Sequence, residues 1–267
     1  MKLDMNYLEK NKASWNERTK HHIHSEFYNL PAFLSGETSL KEIELALLGD
    51  VKGKTILHLQ CHFGQDSLSL ARMGAKVTGI DLSDESIKNA QELNTKLGLD
   101  ATFICCDVYD LPNHLEEKFD IVFTSYGTIG WLPDINKWAK IVSHFMHDSS
   151  KFIFVEFHPV IWMYDNDFKE IAYNYFNDEP IIETLSGTYA NKNAPIVCEY
   201  YSWNHGLGEV ISALLNQNLR LNNFQEYNFS PYDCLSNMVK IEENKYQIER
   251  FGNKIPMVYS LVMEKVG

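Results

Sequence analysis

The chain has 267 residues, 45% of them hydrophobic, enough for one large core or a core with a smaller cap. Its formal net charge of −12 opposes a phosphate-tracking surface, so nucleic acid is not expected as a partner. Five cysteines without CxxC spacing predict a reduced, cytoplasmic protein; the opening MKLDMNYLEKNK lacks a signal-like apolar run, and no segment is apolar for long enough to span a bilayer, so no membrane partner is expected.

In chain order, residues 1–50 read as a polar helical cap carrying Trp15, Phe27, Tyr28 and Phe33. From Lys54 to about His158 the pattern alternates strand and helix within a domain read as 51–267. TILHLQC is the first strand, SLSLARM a short helix and KVTGID the second strand. Ser83 caps the next helix, whose stripe is Ile87, Ala90, Leu93 and Leu97, and Gly98 ends it. ATFICCD and FDIVFTS are the third and fourth strands. Asp134 opens a helix with Ile135, Trp138, Ala139, Val142 and Phe145 on one face, and KFIFVEF is the fifth strand. Near-continuous apolar strands alternating with helices predict an α/β fold: a Rossmann-like, mostly parallel sheet with helices on both faces. Residues 160–218 read as a lid insertion, aromatic and irregular up to Ser202 and then helical from about His205 to Asn218. Two last strands, around Asn223–Phe229 and Met257–Val266, are expected to close the sheet in antiparallel fashion.

The stretch Thr55–Ser83 carries the functional signal. A buried strand, a tight loop around Gly64, a helix and a second strand ending in Asp81 form a unit that holds a nucleoside, the loop offering backbone N–H groups and the carboxylate accepting ribose hydroxyls. Asp81 stands 17 positions after Gly64, about one helix plus one strand.

These residues resemble the class I S-adenosylmethionine-dependent methyltransferases, in particular a bacterial small-molecule branch distantly similar to the ubiquinone/menaquinone type. The phrases LHLQCHFGQDSLSLAR, TSYGTIGWLPD, VEFHP and SWNHGLGEV carry the likeness, by motif over Lys54–Pro159. The resemblance implies a seven-stranded sheet, S-adenosyl-L-methionine as cofactor and a small organic methyl acceptor. It places cofactor contacts at Gln60, His62, Gly64, Asp81, Leu82, Cys106, Asp107, Val108, Ser125 and Tyr126, with Asp81 on the ribose and Asp107 on the adenine amino group. The chain departs from the family's Gly-x-Gly-x-Gly loop: His58 replaces the usual acidic residue, Gln60 and His62 replace two glycines, and only Gly64 remains. Where the loop needs φ > 0, Gln or His is strained.

Tyr28, Trp131 and Trp203 are candidate substrate contacts, with Trp15, Tyr28 and Trp131 able to stack on a sulfonium; core packing is the competing role. His158 and His205 are candidate bases, with Glu156 and Glu209 beside them in sequence. For His205 and Glu209 the alternative is an i,i+4 contact that orders the lid. His21, His22 and His24 do not share one helical face and lack completing ligands, so no metal is expected. Two other functions stay open: a non-catalytic cofactor-binding protein, supported by the altered glycine loop, and a nicotinamide-dependent oxidoreductase, disfavoured because G-x-G-x-x-G is missing.

Overall fold

The computed structural model describes residues 6–177 and 179–266. The first five residues, part of the expected cap and of the opening read for a signal, lie outside that range. Three helices, α1 (Tyr7–His22), α2 (Leu30–Leu34) and α3 (Glu42–Leu48), precede the alternating segment. There follow β1 (Thr55–Leu59), α4 (Gln65–Arg72), β2 (Lys76–Asp81), α5 (Asp84–Leu97), β3 (Thr102–Cys105), β4 (Phe119–Ser125), α6 (Ile135–His144) and β5 (Met146–Phe157). The remainder holds β6 (Ile181–Ser186), β7 (Val197–Ser202), α7 (Leu207–Leu215), β8 (Leu219–Tyr227), β9 (Met238–Glu242), β10 (Lys245–Ile248) and β11 (Val258–Lys265).

The main sheet has seven strands in the order β3-β2-β1-β4-β5-β11-β8. β1 pairs with β2, and β2 with β3, in parallel, whereas β11 runs antiparallel to both β5 and β8. This is the predicted architecture, and the local rules behind it hold. Ser83 Oγ accepts the Ser86 N–H at 3.0 Å to start α5, which ends at Gly98 with φ 62°, and Asp134 caps α6 through the Lys137 N–H at 2.8 Å. The aromatic stretch read as irregular up to Ser202 contains a two-stranded hairpin: β6 and β7 pair from Ile181↔Ser202 to Ser186↔Val197. Its alternating half-buried and exposed residues, IIETLS, lie on a strand with one face covered. A second antiparallel hairpin, β9–β10, precedes β11.

The chain divides into two compact units. One holds the residues up to Leu40, Asp50–Phe119 and Ile181–Ser202; the other holds Lys41–Gly49, Asp120–Pro180 and the chain from Trp203 onward. The division cuts across both the cap read as 1–50 and the lid read as 160–218.

In the first unit the core is built on β1, α4 and β2, with Ile56, Leu57, Leu59, Leu68, Leu70 and Ile80 fully enclosed. Gly79 lets β2 approach its neighbours: a Cβ there would stand 2.9 Å from both Cys61 Sγ and Phe103. α1 docks on the edge of β7 through Asn11, whose amide donates to Tyr201 O at 2.9 Å and whose Oδ1 accepts the Tyr201 N–H at 2.9 Å, as a neighbouring strand would. In the second unit Trp138, Phe152, Phe154 and Tyr259 are fully enclosed, and Ile43, Val155, Ile161, Phe168, Ile248 and Val258 form a further cluster.

Candidate functional site

The loop after β1 carries Gln60, Cys61, His62, Phe63 and Gly64. Gln60 has φ 55°, His62 has φ 52° and Gly64 has φ 80°, so the left-handed geometry of an alternating glycine loop is kept with side chains at two of its positions. A non-glycine residue in this region costs about 1–2 kcal/mol, and such strain persists where surrounding contacts over-determine it. For His62 those contacts are visible. Its backbone N–H donates to Asp81 Oδ2 at 2.9 Å, its Nδ1 lies 3.0 Å from Ser86 Oγ, and its Nε2 lies 3.0 Å from His22 Nδ1. At Gly64, which starts α4, a Cβ would stand 2.8 Å from Phe103 and 2.9 Å from Ala90, so this glycine is required by space as well as by φ.

Asp81 ends β2. Its Oδ1 accepts the Ser83 N–H at 2.8 Å and its Oδ2 accepts the His62 N–H, which aim the carboxylate. Burial pushes its pKa up to about 6, against the pull of the backbone N–H groups of Ser83, His62 and Leu82. Capping of α5 falls to Ser83, so Asp81 is not the capping residue. Asp107 Oδ1 accepts the Tyr109 N–H at 3.0 Å where a 3-10 turn begins, with Cys106 and Val108 buried on either side. Tyr7, at the start of α1, is pushed up to about 12 by burial and by the Asp107 charge. His58 is buried with Nδ1 2.7 Å from Ser67 Oγ, and burial lowers its pKa to about 3. An uncharged imidazole therefore occupies the position where an acidic residue was expected.

Around His62 lies an aromatic cluster. His22 and Tyr28 stack at 5.4 Å, Tyr189 meets His22 edge-on at 4.8 Å, and Trp15 and Phe63 meet His62 at 5.2 and 4.5 Å. The Tyr28 and Tyr189 hydroxyls bond to each other, joining the segment after α1 to the β6–β7 turn. Arg18 lies over the rings of Trp15 and Tyr200 at 5.5 and 4.9 Å.

In the second unit the loop after β4 is organised by one buried carboxylate. Glu156 accepts the N–H groups of Gly127, Thr128 (2.7 Å), Ile129 (3.2 Å) and Phe157 (2.7 Å), and the Thr128 hydroxyl at 2.9 Å. Burial raises its pKa and these donors oppose the rise. Tyr126, with φ 49°, donates its hydroxyl to the buried Glu44 at 2.7 Å. Ser125 ends β4, and Trp131 Nε1 donates to Gly127 O at 2.8 Å. Trp203 is buried, its N–H on Gly130 O at 2.8 Å.

The protein-family model described as a methyltransferase domain matches residues 56–147. An uncharacterized RNA methyltransferase of Clostridium acetobutylicum is 32% identical over 106 residues, 39% of this chain and 23% of that protein. A ubiquinone biosynthesis O-methyltransferase of Coxiella burnetii is 30% identical over 124 residues, 46% of this chain and 51% of that protein. The chain thus spans between about a quarter and a half of these curated relatives. Among solved structures, geranyl diphosphate C-methyltransferase from Streptomyces coelicolor superposes with a TM-score of 0.62 at 13% identity, covering 100% of both chains. Residues 56–147 are thus similar to a methyltransferase domain, and the fold is one shared with solved S-adenosylmethionine-dependent methyltransferases.

The residues of the methyltransferase domain fit its cofactor. The left-handed loop and the Asp81 carboxylate, aimed by backbone N–H groups and only partly buried, suit a ribose diol at the end of β2. The His62 ring is turned to His22 and Ser86, so its backbone, rather than its imidazole, serves the loop. His205 has a hydrogen-bond partner at each ring nitrogen, whereas His158 has one at Nδ1 and an ion-pair approach without hydrogen-bond geometry at Nε2. His158 Nδ1 accepts the Val160 N–H at 3.2 Å, and its Nε2 stands 3.0 Å from Glu226. Burial lowers its pKa while Glu226 raises it. His205 Nε2 lies 2.7 Å from Leu132 O and its Nδ1 3.1 Å from Glu209, the i,i+4 contact. Tyr28 and Trp15 belong to the first unit, and Trp131 and Trp203 to the second. Among the described residues no group of three or more His, Cys, Asp or Glu is arranged to hold a metal: His22 is buried while His24 is exposed. Sequence reading gave His22 and Ser86 no part in the site. The signal was the helical spacing Trp15, Thr19 and His22, which puts the three on one face of α1.

Proposed function

We propose that this protein transfers the methyl group of S-adenosyl-L-methionine to a small organic acceptor. The observation that carries the reading is the loop at the end of β1, left-handed at residues 60, 62 and 64, with the His62 N–H fixing Asp81. In this reading the backbone of Gln60, His62 and Gly64 faces the amino-acid part of the cofactor. Asp81 and Leu82 hold the ribose, and Cys106, Asp107 and Val108 hold the adenine. Ser125 and Tyr126 are assigned to the cofactor on the family's pattern, and Tyr28, Trp131 and Trp203 to the acceptor. The cofactor supplies an electrophilic methyl; the protein aligns the nucleophile and excludes water.

A small acceptor is favoured over RNA, the class printed for the Clostridium relative, by the net charge of −12. His205, hydrogen-bonded at both nitrogens, is assigned a holding role in the second unit, and so is His158, bonded at Nδ1 and facing Glu226 at Nε2. No helix is long and apolar enough to cross a membrane among the described residues. Calorimetry with S-adenosylmethionine and S-adenosylhomocysteine tests the proposal: micromolar binding of both is expected, and absence of heat with either ligand overturns it.

A further inference from the structure

The chain leaves β4 through two successive left-handed residues, Tyr126 with φ 49° and Gly127 with φ 73°. Glycine adopts that geometry freely, whereas a tyrosine there is an outlier. Three contacts hold Tyr126. Its N–H donates to Val155 O at 2.7 Å, and its ring packs on Phe157 and Tyr232 with centroids 5.8 and 5.1 Å away. Its hydroxyl donates to Glu44 Oε2 at 2.7 Å, across 82 positions of sequence. Glu44 is 0% exposed, and its Oε1 accepts the Lys41 N–H at 2.6 Å, so each carboxylate oxygen has a donor. A glutamate in the first turn of a helix ordinarily closes the cap with one oxygen, at the surface. Enclosing the carboxylate is costly unless its other oxygen is also satisfied, and here Tyr126 satisfies it.

We propose that Glu44 is a positioning residue: through the Tyr126 hydroxyl it holds the turn after β4 in its left-handed form, and so sets Ser125 and Tyr126, which the methyl-transfer reading gives to the cofactor. The inference rests on that reading and adds to it a residue of α3, outside the stretch 56–147 matched by the family model. Released from Glu44, Tyr126 returns toward negative φ, the region an L side chain prefers. The peptide that follows then rotates, and the N–H groups of Gly127, Thr128 and Ile129 no longer converge on Glu156. The hold is geometric. The hydroxyl proton stays on the phenol oxygen, and no group has to titrate. The loop after β1 uses the same device. His62 is also left-handed, and its ring nitrogens are engaged by Ser86 and His22. In both loops a side chain stands where glycine would suffice, and its polar atoms are tied to residues far away in sequence.

Variants of the full chain test the proposal: Glu44→Ala, Tyr126→Phe and the two together. With urea titration showing each folded, either change should weaken S-adenosylhomocysteine binding by about tenfold in calorimetry, the worth of one residue's left-handed strain. The double variant should lose no more, because both changes break one bond. Adding Tyr126→Gly to Glu44→Ala should restore most of the affinity, since glycine keeps φ > 0 without a tether. A carboxylate that only supports α3 would not be rescued in this way. Amide exchange gives a reading independent of any ligand: in Tyr126→Phe the N–H groups of Gly127, Thr128 and Ile129 should exchange about tenfold faster. Tyr126→Phe leaves the Lys41 cap in place, so its result stands even where Glu44→Ala fails to fold. Unchanged binding in Tyr126→Phe or in folded Glu44→Ala overturns the proposal and leaves the cofactor reading standing. So does a double variant weaker by the product of the two losses, or the absence of rescue by glycine. If the unaltered protein binds no S-adenosylhomocysteine, the cofactor reading falls. Slow exchange in Tyr126→Phe then overturns the hold on the turn as well, and fast exchange supports it.

Discussion

Acidification should destabilise this protein well above the usual range of carboxylate titration. Burial lowers the pKa of His22 to about 2 and of His58 and His62 to about 3, against an ordinary 6.5. The sign follows from linkage. A histidine depressed in the folded state contributes stability that is complete above 6.5 and is lost as pH falls toward the folded value, because the unfolded chain takes up the proton. Between pH 6 and pH 5 the three rings bind about 2.6 protons on unfolding. Asp81 acts oppositely. Its pKa is raised to about 6, so its contribution is present below 3.8 and is lost as pH rises through 6, which returns about 0.7 proton over the same interval. His158 adds to the histidine effect in direction, and Glu156 opposes it. The net, about two protons, is roughly 2.5 kcal/mol per pH unit, or a Tm fall of about 5–10 °C for a chain of this size. Calorimetric scans and urea titrations at pH 7, 6 and 5 measure it, and His22→Phe should remove about one proton from the slope. A Tm that stays level from pH 7 to pH 5 would refute the neutral, buried state of these rings.

Asp81→Asn keeps the shape but removes the charge that a ribose diol would bind, and S-adenosylhomocysteine affinity should fall roughly 10- to 100-fold by calorimetry. Glu156→Gln turns an N–H2 toward the backbone donors of residues 127–129 or Phe157. It should cost about 3 kcal/mol in urea unfolding, with unchanged stability disproving the anchor. Gly64→Ala combines φ 80° with a Cβ 2.8 Å from Phe103, and a loss of at least about 2 kcal/mol is expected in the same assay.

Much of this was legible in the residues. Period and punctuation gave the β1–α4–β2–α5 order, the caps at Ser83 and Asp134, the stop at Gly98 and the antiparallel closing strands, because these are local preferences repeated along near-continuous apolar strands. The β6–β7 hairpin was not legible. Its aromatic residues pack against distant α1, and Asn11 pairs with Tyr201 across 190 positions, beyond any local pattern.

What the sequence by itself determined is the class of fold and the strand–loop–helix–strand unit from Thr55 to Ser83, since strand, glycine, helix and terminal carboxylate are set by short-range chemistry. It also flagged Gln60 and His62 as strained replacements, which their positive φ bears out. Only the tertiary structure decided how that strain is held. His22, on α1, meets His62, on the loop after β1, 40 positions away. The proton on each ring depends on a chain that runs through Ser86 and Thr19, residues brought together by packing alone. Tautomer and burial are properties of neighbours in space, and for His22 those neighbours come from four separate stretches of the chain.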